Sequence, residues 1–319
     1  MTAMKLMRLL QTDLYRAVVH ADFWIAALLF GALCFTAEGY WEAGRSITVL
    51  ELALFHPAEE ISGQFLLSNY HLFLAGIGPY NLMFAPILAA IPSISGFCQE
   101  RRNGYLRLLI PRCGVTRRCL SLWLSALLSG GLVVTAGYGL YGLGCWILFP
   151  GPTAELAQWF AAPVWSGVLA QLAGAFFFGM VAALLPALLA GVSQNACFVL
   201  CTAFALFYAY CNFLDTLSNR LFDDGELEQS FQVMMLYPTS VFQCFSGHQP
   251  WRLALWGIVA AAVYGLLRLS IAWRMDNIAN YRHCLPSTST HFHKEQNQHC
   301  PLETLMGYFG RNNRFRYMM

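Results

Sequence analysis

The residues with the greatest capacity for metal chemistry lie near the C-terminus. Six His and Cys residues fall within eighteen positions: His283, Cys284, His291, His293, His299 and Cys300. These side chain types bind zinc, but their spacing matches no closed structural zinc site. A solvated tail is the favoured interpretation, and we predict no metal site.

The rest of the sequence lacks the catalytic motifs that a membrane enzyme or an ATPase would need. A phosphate-binding loop ends in Gly-Lys-Ser/Thr. The only two lysines, Lys5 and Lys294, follow Met4 and His293. There is no His-Glu-x-x-His zinc motif and no Gly-x-Ser-x-Gly nucleophile elbow. We therefore predict no enzymatic activity and no cofactor in this chain, so that any ATP would be hydrolysed by another polypeptide.

The composition excludes an ordinary soluble domain. Of 319 residues, 57% are hydrophobic and 11% are charged, whereas soluble domains are about 25% charged. No Asp, Glu, Lys or Arg occurs in 61–99, 119–154 or 156–214. A membrane-spanning helix needs roughly 20 apolar residues. The net charge of +2 is too small to indicate nucleic-acid binding.

The charge-free runs predict an all-α membrane protein with six transmembrane helices. Ser193, Gln194 and Asn195 form the only polar break between the fourth and fifth spans, which indicates a tight helical hairpin. The predicted spans are Phe23–Ala37, Leu72–Phe97, Leu120–Phe149, Pro163–Val192, Ala196–Leu214 and Trp251–Trp273.

The basic residues predict the orientation. Fifteen of the nineteen Lys and Arg residues precede the first span, lie between the second and third, or follow the sixth, while the alternate loops are acidic. Short basic loops stay cytoplasmic, so both termini are predicted to be cytoplasmic in a bacterial plasma membrane. Residues 1–21 place Lys5, Arg8, Thr12 and Arg16 on one helical face, which is typical of an interfacial helix.

Small residues recur at helical spacing in the third and sixth spans. Such ridges allow close helix packing, either within one subunit or at a dimer seam. Glycines and prolines in the second and fourth spans mark a transport path or reflect their ordinary frequency in membrane helices. The two ridges are Gly131, Thr135 and Gly139, and Gly257, Ala261 and Gly265.

The segment 98–119 is strongly basic and also contains apolar residues. Residues 99–120 read QERRNGYLRLLIPRCGVTRRCL. The positive-inside rule explains the arginines but not the apolar run from Tyr105 to Ile110. A short amphipathic helix that docks on a partner would explain both features.

This loop and the layout around it resemble the permeases of the ABC transporter type-2 family. In those proteins the loop between spans two and three carries a glutamate, a glycine, leucines, a proline and then Ser/Thr-Arg. The interval after the proline is longer in this chain than is usual in the family. Otherwise the chain shows the same order, in Glu100, Gly104, Leu106, Leu108, Leu109, Pro111 and Thr116-Arg117. The resemblance implies that Glu100, Gly104, Leu106, Leu108 and Pro111 couple the chain to an ATP-binding subunit.

The resemblance also implies the domain plan and the function. Residues 1–275 would form the permease domain, in which 215–250 is a re-entrant outer segment. Residues 276–319 would form a polar cytoplasmic tail. The expected partners are two ATP-binding subunits, which carry ATP and Mg²⁺, a second permease and membrane lipids. Spans two and five would line the path at the dimer seam. The alternatives are a non-transporting regulatory or immunity subunit and, less favoured, a lipid-modifying membrane enzyme.

Overall fold

The computed structural model describes residues 2–42, 45–55, 67–105, 113–151, 164–242 and 251–284. Of these described residues, 86% are helical. Its principal elements in these ranges are α1 (Thr2–Val19), α2 (Ala21–Cys34), β1 (Glu38–Glu42), β2 (Arg45–Thr48), α3 (Val49–Phe55), α4 (Asn69–Leu74), α5 (Pro79–Arg102), α6 (Val115–Leu148), α7 (Val164–Val192), α8 (Ala196–Asp223), α9 (Leu227–Met234) and α10 (Trp251–Cys284).

Several helices are long and apolar enough to cross a membrane. Five qualify among the described residues: α5, α6, Trp165–Val192 in α7, α8, and Leu253–Ala272 in α10. The helices α1 and α2 qualify only as a pair, bent by 60°. Alone, the 14 residues of α2 extend about 21 Å, less than the roughly 30 Å of a bilayer core. The prediction of a helical membrane protein is confirmed, with five spans or six.

The core is built around α6, which packs against α1, α2, α5 and α7. Its Tyr138 and Tyr141 are among the largest fully buried side chains. Glycines allow the closest helix crossings. A Cβ atom at Gly179 of α7 would lie 2.5 Å from the Gly130 carbonyl oxygen, and one at Gly137 would lie 2.6 Å from that of Ala27 in α2.

The two predicted glycine ridges differ in their surroundings. A Cβ atom at Gly131 would lie 2.8 Å from Phe176 of α7, so this position packs within the chain. Thr135 donates its hydroxyl to the Gly131 carbonyl at 2.8 Å, and Gly139 would meet nothing within 4 Å. Gly257 and Ala261 are exposed and Gly265 is half-buried. A Cβ atom at Gly257 or Gly265 would meet no described atom within 4 Å, so a dimer seam there stays a prediction.

The second predicted span is not one continuous helix. The helix α4 ends at Leu74, and α5 begins at Pro79 after the non-helical segment 75–78. Proline suits the first position of a helix because its missing N–H would have no helical partner there. The helix that is long enough to span therefore begins at Pro79 and ends at Arg102, later at both ends than the predicted Leu72–Phe97. Pro86 and Pro92 lie inside α5 without ending it.

The fifth span is longer than predicted. The helix α8 continues past Leu214 to Asp223, so the predicted outer segment 215–250 begins inside this helix. The chain then turns at Gly225, whose φ is +82°, and α9 packs against α8. The Tyr237 hydroxyl donates to the Cys211 carbonyl at 3.0 Å. The described part of the segment therefore folds back along α8, and its re-entrant character stays a prediction.

The acidic loop after α2 contains strands that the sequence analysis did not predict. Strands β1 and β2 form an antiparallel hairpin in which Trp41 pairs with Ser46. The helix α3 follows with a capping box: the Thr48 hydroxyl accepts from the Glu51 N–H at 3.2 Å, and the Glu51 carboxylate accepts from the Thr48 N–H at 3.0 Å. The all-α prediction needs this one correction among the described residues. In the predicted tail, α10 continues to Cys284, and 285–319 lie outside the described residues.

Candidate coupling site

Three parts of the chain meet through one arginine near the start of α6. Arg118 donates from Nη1 to Asp13 Oδ2 of α1 at 2.7 Å and from Nη2 to Glu100 Oε2 of α5 at 2.5 Å. The Ser121 hydroxyl donates to the same Asp13 oxygen at 2.7 Å. We refer to Asp13, Glu100, Arg118 and Ser121 as the Arg118 cluster. It joins two positions that are 105 residues apart in sequence.

The Arg118 cluster is sheltered from solvent. The exposed fraction of the side chain is 6% for Arg118, 15% for Asp13 and 23% for Glu100. Charges in such a place are tolerated only when they are paired and hydrogen-bonded. Arg16 adds a second cation, 3.6 Å from Glu100, but its side chain is 65% exposed and such pairs contribute little. Arg118 is therefore the residue that holds the three helices together at this point.

Two glycine turns flank the basic loop that the sequence singles out. The helix α5 ends at Arg102, and Gly104 has φ +72°; Gly114, immediately before α6, has φ +82°. Both values lie in the left-handed region that glycine adopts at little cost. Glu100 and Arg118 lie just inside the adjacent helices, so both helix ends that border the loop lie beside the Arg118 cluster.

A second arginine ties this end of α5 to the turn between α7 and α8. Arg101 Nη1 donates to the carbonyl oxygens of Ala190 and Ser193, the latter at 3.0 Å. A cation near the last carbonyls of a helix also interacts favourably with the helix dipole. These contacts gather Asp13, the loop and the α7–α8 turn at one end of the bundle, which we call the loop end.

A cleft opens beside the Arg118 cluster. Its volume is about 790 Å³, and residues of α1, α2, α5 and α6 and of the segments after α1 and α5 line it. The polar side chains among them include Asp13, Arg16, His20, Glu100, Tyr105 and Arg118. The charged groups are therefore held in fixed geometry on one side and border an accessible polar space on the other.

The structure describes only part of the predicted coupling site. Glu100 belongs to the Arg118 cluster, and Gly104 occupies the turn after α5. Leu106, Leu108 and Pro111 lie outside the described residues. Two residues of the cluster were not predicted as site residues. Arg118 was counted only among the basic residues of the loop, and Asp13 is the one acidic residue in 1–21. A lone carboxylate in a basic segment was the available signal.

The other end of α6 has a neutral polar cluster. The Tyr138 hydroxyl donates to the Phe73 carbonyl, and the Tyr141 hydroxyl donates to that of Leu72 at 2.6 Å. Asn81 donates from Nδ2 to the Gly76 carbonyl at 2.7 Å. These side chains, which we call the Tyr138 cluster, donate to carbonyls at the break between α4 and α5, where fewer helical bonds are available. Of these carbonyls, that of Phe73 also accepts the Gly76 N–H at 3.3 Å. The break therefore has a packing explanation.

The Tyr138 cluster lies at the end that carries the β-hairpin. A Cβ atom at Gly78, in the break, would lie 3.0 Å from Ala37, which directly precedes β1. The Val49 N–H, just after β2, donates to the Ala37 carbonyl at 3.0 Å. We call this the hairpin end.

The described residues contain no group of three or more His, Cys, Asp or Glu that could hold a metal ion. Of the tail residues considered as zinc ligands, His291, His293, His299 and Cys300 lie outside the described ranges. No protein-family model matches the chain, and no curated protein matches it. The apolar helices define a helical membrane protein.

Proposed function

We propose that this protein is the membrane-spanning permease subunit of an ATP-driven exporter of the ABC type-2 kind. It would act with two ATP-binding subunits, which hold ATP and Mg²⁺, and with a second permease, identical or homologous. The cargo class is a small molecule, a peptide or a lipid. The observation that carries the proposal is the position of Glu100, which begins the predicted coupling element and is bound to Arg118.

The Arg118 cluster supplies a physical route for coupling. In this proposal the segment 98–119 docks on the ATP-binding subunit through Glu100, Gly104, Leu106, Leu108 and Pro111. A displacement of this loop would move α5 and α6 together, because Glu100 and Arg118 are linked. It would also move α1, because Asp13 is bound to the same guanidinium.

The same geometry supports the proposed orientation in a bacterial plasma membrane. The loop end, which carries the basic loop, faces the cytoplasm, and so do both termini. Arg118 and Tyr138 are about 30 Å apart along α6 at 1.5 Å per residue, which equals the thickness of a hydrocarbon core. The helix α1 lies in the cytoplasmic interface, with Arg8 and Arg16 exposed and Leu10 and Leu14 half-buried.

Spans two and five are neighbours, as the proposed path requires. The helices α5 and α8 pack against each other. The ring centroids of Phe84 and Phe204 are 5.5 Å apart, and those of Phe204 and Tyr208 are 6.4 Å apart. Phe84 and Tyr208 are 37% and 42% exposed. We propose that this aromatic surface faces the second permease and borders the translocation path.

Photo-crosslinking distinguishes the two candidate seams. A photoreactive phenylalanine analogue at Tyr208 would give covalent dimers in membranes, whereas the same analogue at Ile258, beside Gly257 on α10, would not. Strong dimer formation at Ile258 and none at Tyr208 would instead assign the seam to the ridge of Gly257, Ala261 and Gly265.

Co-purification tests the coupling assignment. The variant Leu106→Asp/Leu108→Asp places two charges in the proposed docking surface and should abolish co-purification of an ABC ATP-binding subunit. The matched control is Leu54→Asp, which changes an exposed leucine at the hairpin end (67% exposed) and should retain the partner. Equal partner retention by both variants, with unchanged ATP-dependent transport, would refute the assignment and favour a regulatory or immunity subunit.

A further inference from the structure

Two thiols lie side by side at the start of α8. Cys197 and Cys201 are both exposed, and their Sγ atoms are 3.9 Å apart. Residues at i and i+4 share a helix face, so the spacing in sequence explains the approach. The pair begins two residues after the polar turn 193–195, at the loop end.

The start of the helix is fixed locally. Asn195 is the N-cap residue, and its side-chain oxygen accepts the backbone N–H of Cys197 at 3.1 Å. The Asn195 N–H in turn donates to the Ser193 hydroxyl at 3.2 Å. The backbone that carries the first thiol is thus held in place before any ligand binds.

The separation of the sulfur atoms matches a tetrahedral metal ion. Two thiolates at the usual zinc–sulfur distance of about 2.3 Å and a tetrahedral angle are about 3.8 Å apart. An intrahelical disulfide fits poorly, because it needs Cβ atoms about 3.5–4.5 Å apart, whereas Cβ atoms at i and i+4 on a helix are about 5–6 Å apart. The geometry therefore favours a shared ligand over a bond between the two sulfurs.

No other cysteine whose side chain is described offers a comparable exposed pair. Cys34, Cys98, Cys119, Cys145 and Cys211 are buried, and Cys113 is half-buried. Among the eight cysteines whose side chains are described, two adjacent exposed thiols therefore occur only at the start of α8.

We propose that Cys197 and Cys201 form a two-thiolate binding site for a soft divalent d¹⁰ cation, Zn²⁺ or Cd²⁺. Each thiol releases its proton to solvent as its sulfur binds the metal, and water completes the coordination. No oxidation or reduction takes place.

Cadmium titration of the purified full-length protein tests this site. Wild-type protein should show cadmium–thiolate ultraviolet charge-transfer absorption that Cys197→Ser and Cys201→Ser each lower. The control Cys113→Ser, which removes a half-buried thiol lying alone at the same end, should leave it unchanged. Equal absorption in all four proteins would overturn the proposal.

Alkylation of the wild-type protein tests the site without any substitution. With cadmium at ten times its dissociation constant, mass spectrometry should show that alkylation of Cys197 and Cys201 slows together by about tenfold, while Cys113 reacts as before. Protection of neither thiol, or protection confined to Cys284 and Cys300, would contradict the proposal and assign cadmium binding to the tail.

Discussion

The two ends of α6 hold neighbouring helices in different ways. At the hairpin end, the Tyr138 cluster uses neutral hydroxyls that donate to carbonyls of a broken helix. At the loop end, the Arg118 cluster uses a charged guanidinium between two carboxylates, beside a cleft of about 790 Å³. The neutral end is fully buried, whereas the charged end borders accessible space.

This difference indicates at which end of the bundle a movement of the loop can be transmitted to the helices. Tyr138 and Tyr141 are 0% exposed, and displacing Tyr141 would deprive the Leu72 carbonyl of its hydroxyl donor. The carboxylates at the loop end are partly exposed and adjoin a segment between two glycine turns. We therefore place the fixed support of the bundle at the hairpin end and its input at the loop end.

The largest effect is expected from Arg118→Met. The change leaves Asp13 and Glu100 sheltered and without their shared cation, and breaking a buried ion pair costs about 3–5 kcal/mol. Denaturant unfolding in detergent measures the loss. Arg117→Met, which removes the same charge from the half-buried neighbouring residue, should change stability far less. Equal losses in the two variants would remove the special role of Arg118.

Tyr141→Phe should have the next largest effect. It deletes the donor to the Leu72 carbonyl while keeping the ring, and an unsatisfied buried acceptor costs about 1–3 kcal/mol. Tyr210→Phe is the matched control. The Tyr210 hydroxyl also donates to a backbone carbonyl, that of Leu236 at 2.9 Å, but Tyr210 is 37% exposed. If Tyr210→Phe destabilises the protein as much as Tyr141→Phe, burial does not distinguish the Tyr138 cluster.

Arg16→Ala should have a small effect, which separates Arg16 from Arg118 within the same charged end. The Arg16 side chain is 65% exposed, and exposed ion pairs contribute about 0–1 kcal/mol. Unfolding of Arg16→Ala should therefore resemble that of the unsubstituted protein. A loss as large as that of Arg118→Met would show that Glu100 depends on both arginines.

The smallest effect is expected from Glu51→Gln, which removes a charged cap at the start of α3 at the hairpin end. The Thr48 N–H, which donates to the Glu51 carboxylate, lowers the pKa of Glu51. A lowered folded-state pKa means that the stabilisation is present above the unfolded pKa of about 4.3 and is lost as the pH falls through the folded value. Glu51→Gln should flatten the fall in melting temperature slightly on acidification. An identical pH profile for both proteins would exclude this contribution.

Much of the helical layout was predictable because lipid-spanning helices require long apolar runs. The predicted span Pro163–Val192 coincides with α7 to within one residue at each end. Asp215, Arg220 and Asp223 made α8 look shorter than it is, because charges ordinarily mark a helix leaving the bilayer. Here they lie on helical turns beyond Leu214, against which α9 packs.

The contacts that define the candidate site were harder to predict. Arg118 and Asp13 are far apart in sequence, and nothing local distinguishes a buried arginine from the other basic residues of the loop. The break before Pro79 was also difficult to place, because Leu72–Phe97 contains no charged residue and its other prolines remain within α5. Only the tertiary contacts of Tyr138 and Tyr141 show which of these positions interrupts the helix.

The subunit composition of the complex in its native membrane tests the central claim most directly. Native mass spectrometry of the tagged chain, extracted under mild conditions, should detect two permease chains with two ABC ATP-binding subunits, and the variant Leu106→Asp/Leu108→Asp should lose the ATP-binding subunits. A chain that leaves the membrane without any ATP-binding subunit, under conditions that preserve known complexes of this kind, would contradict the account.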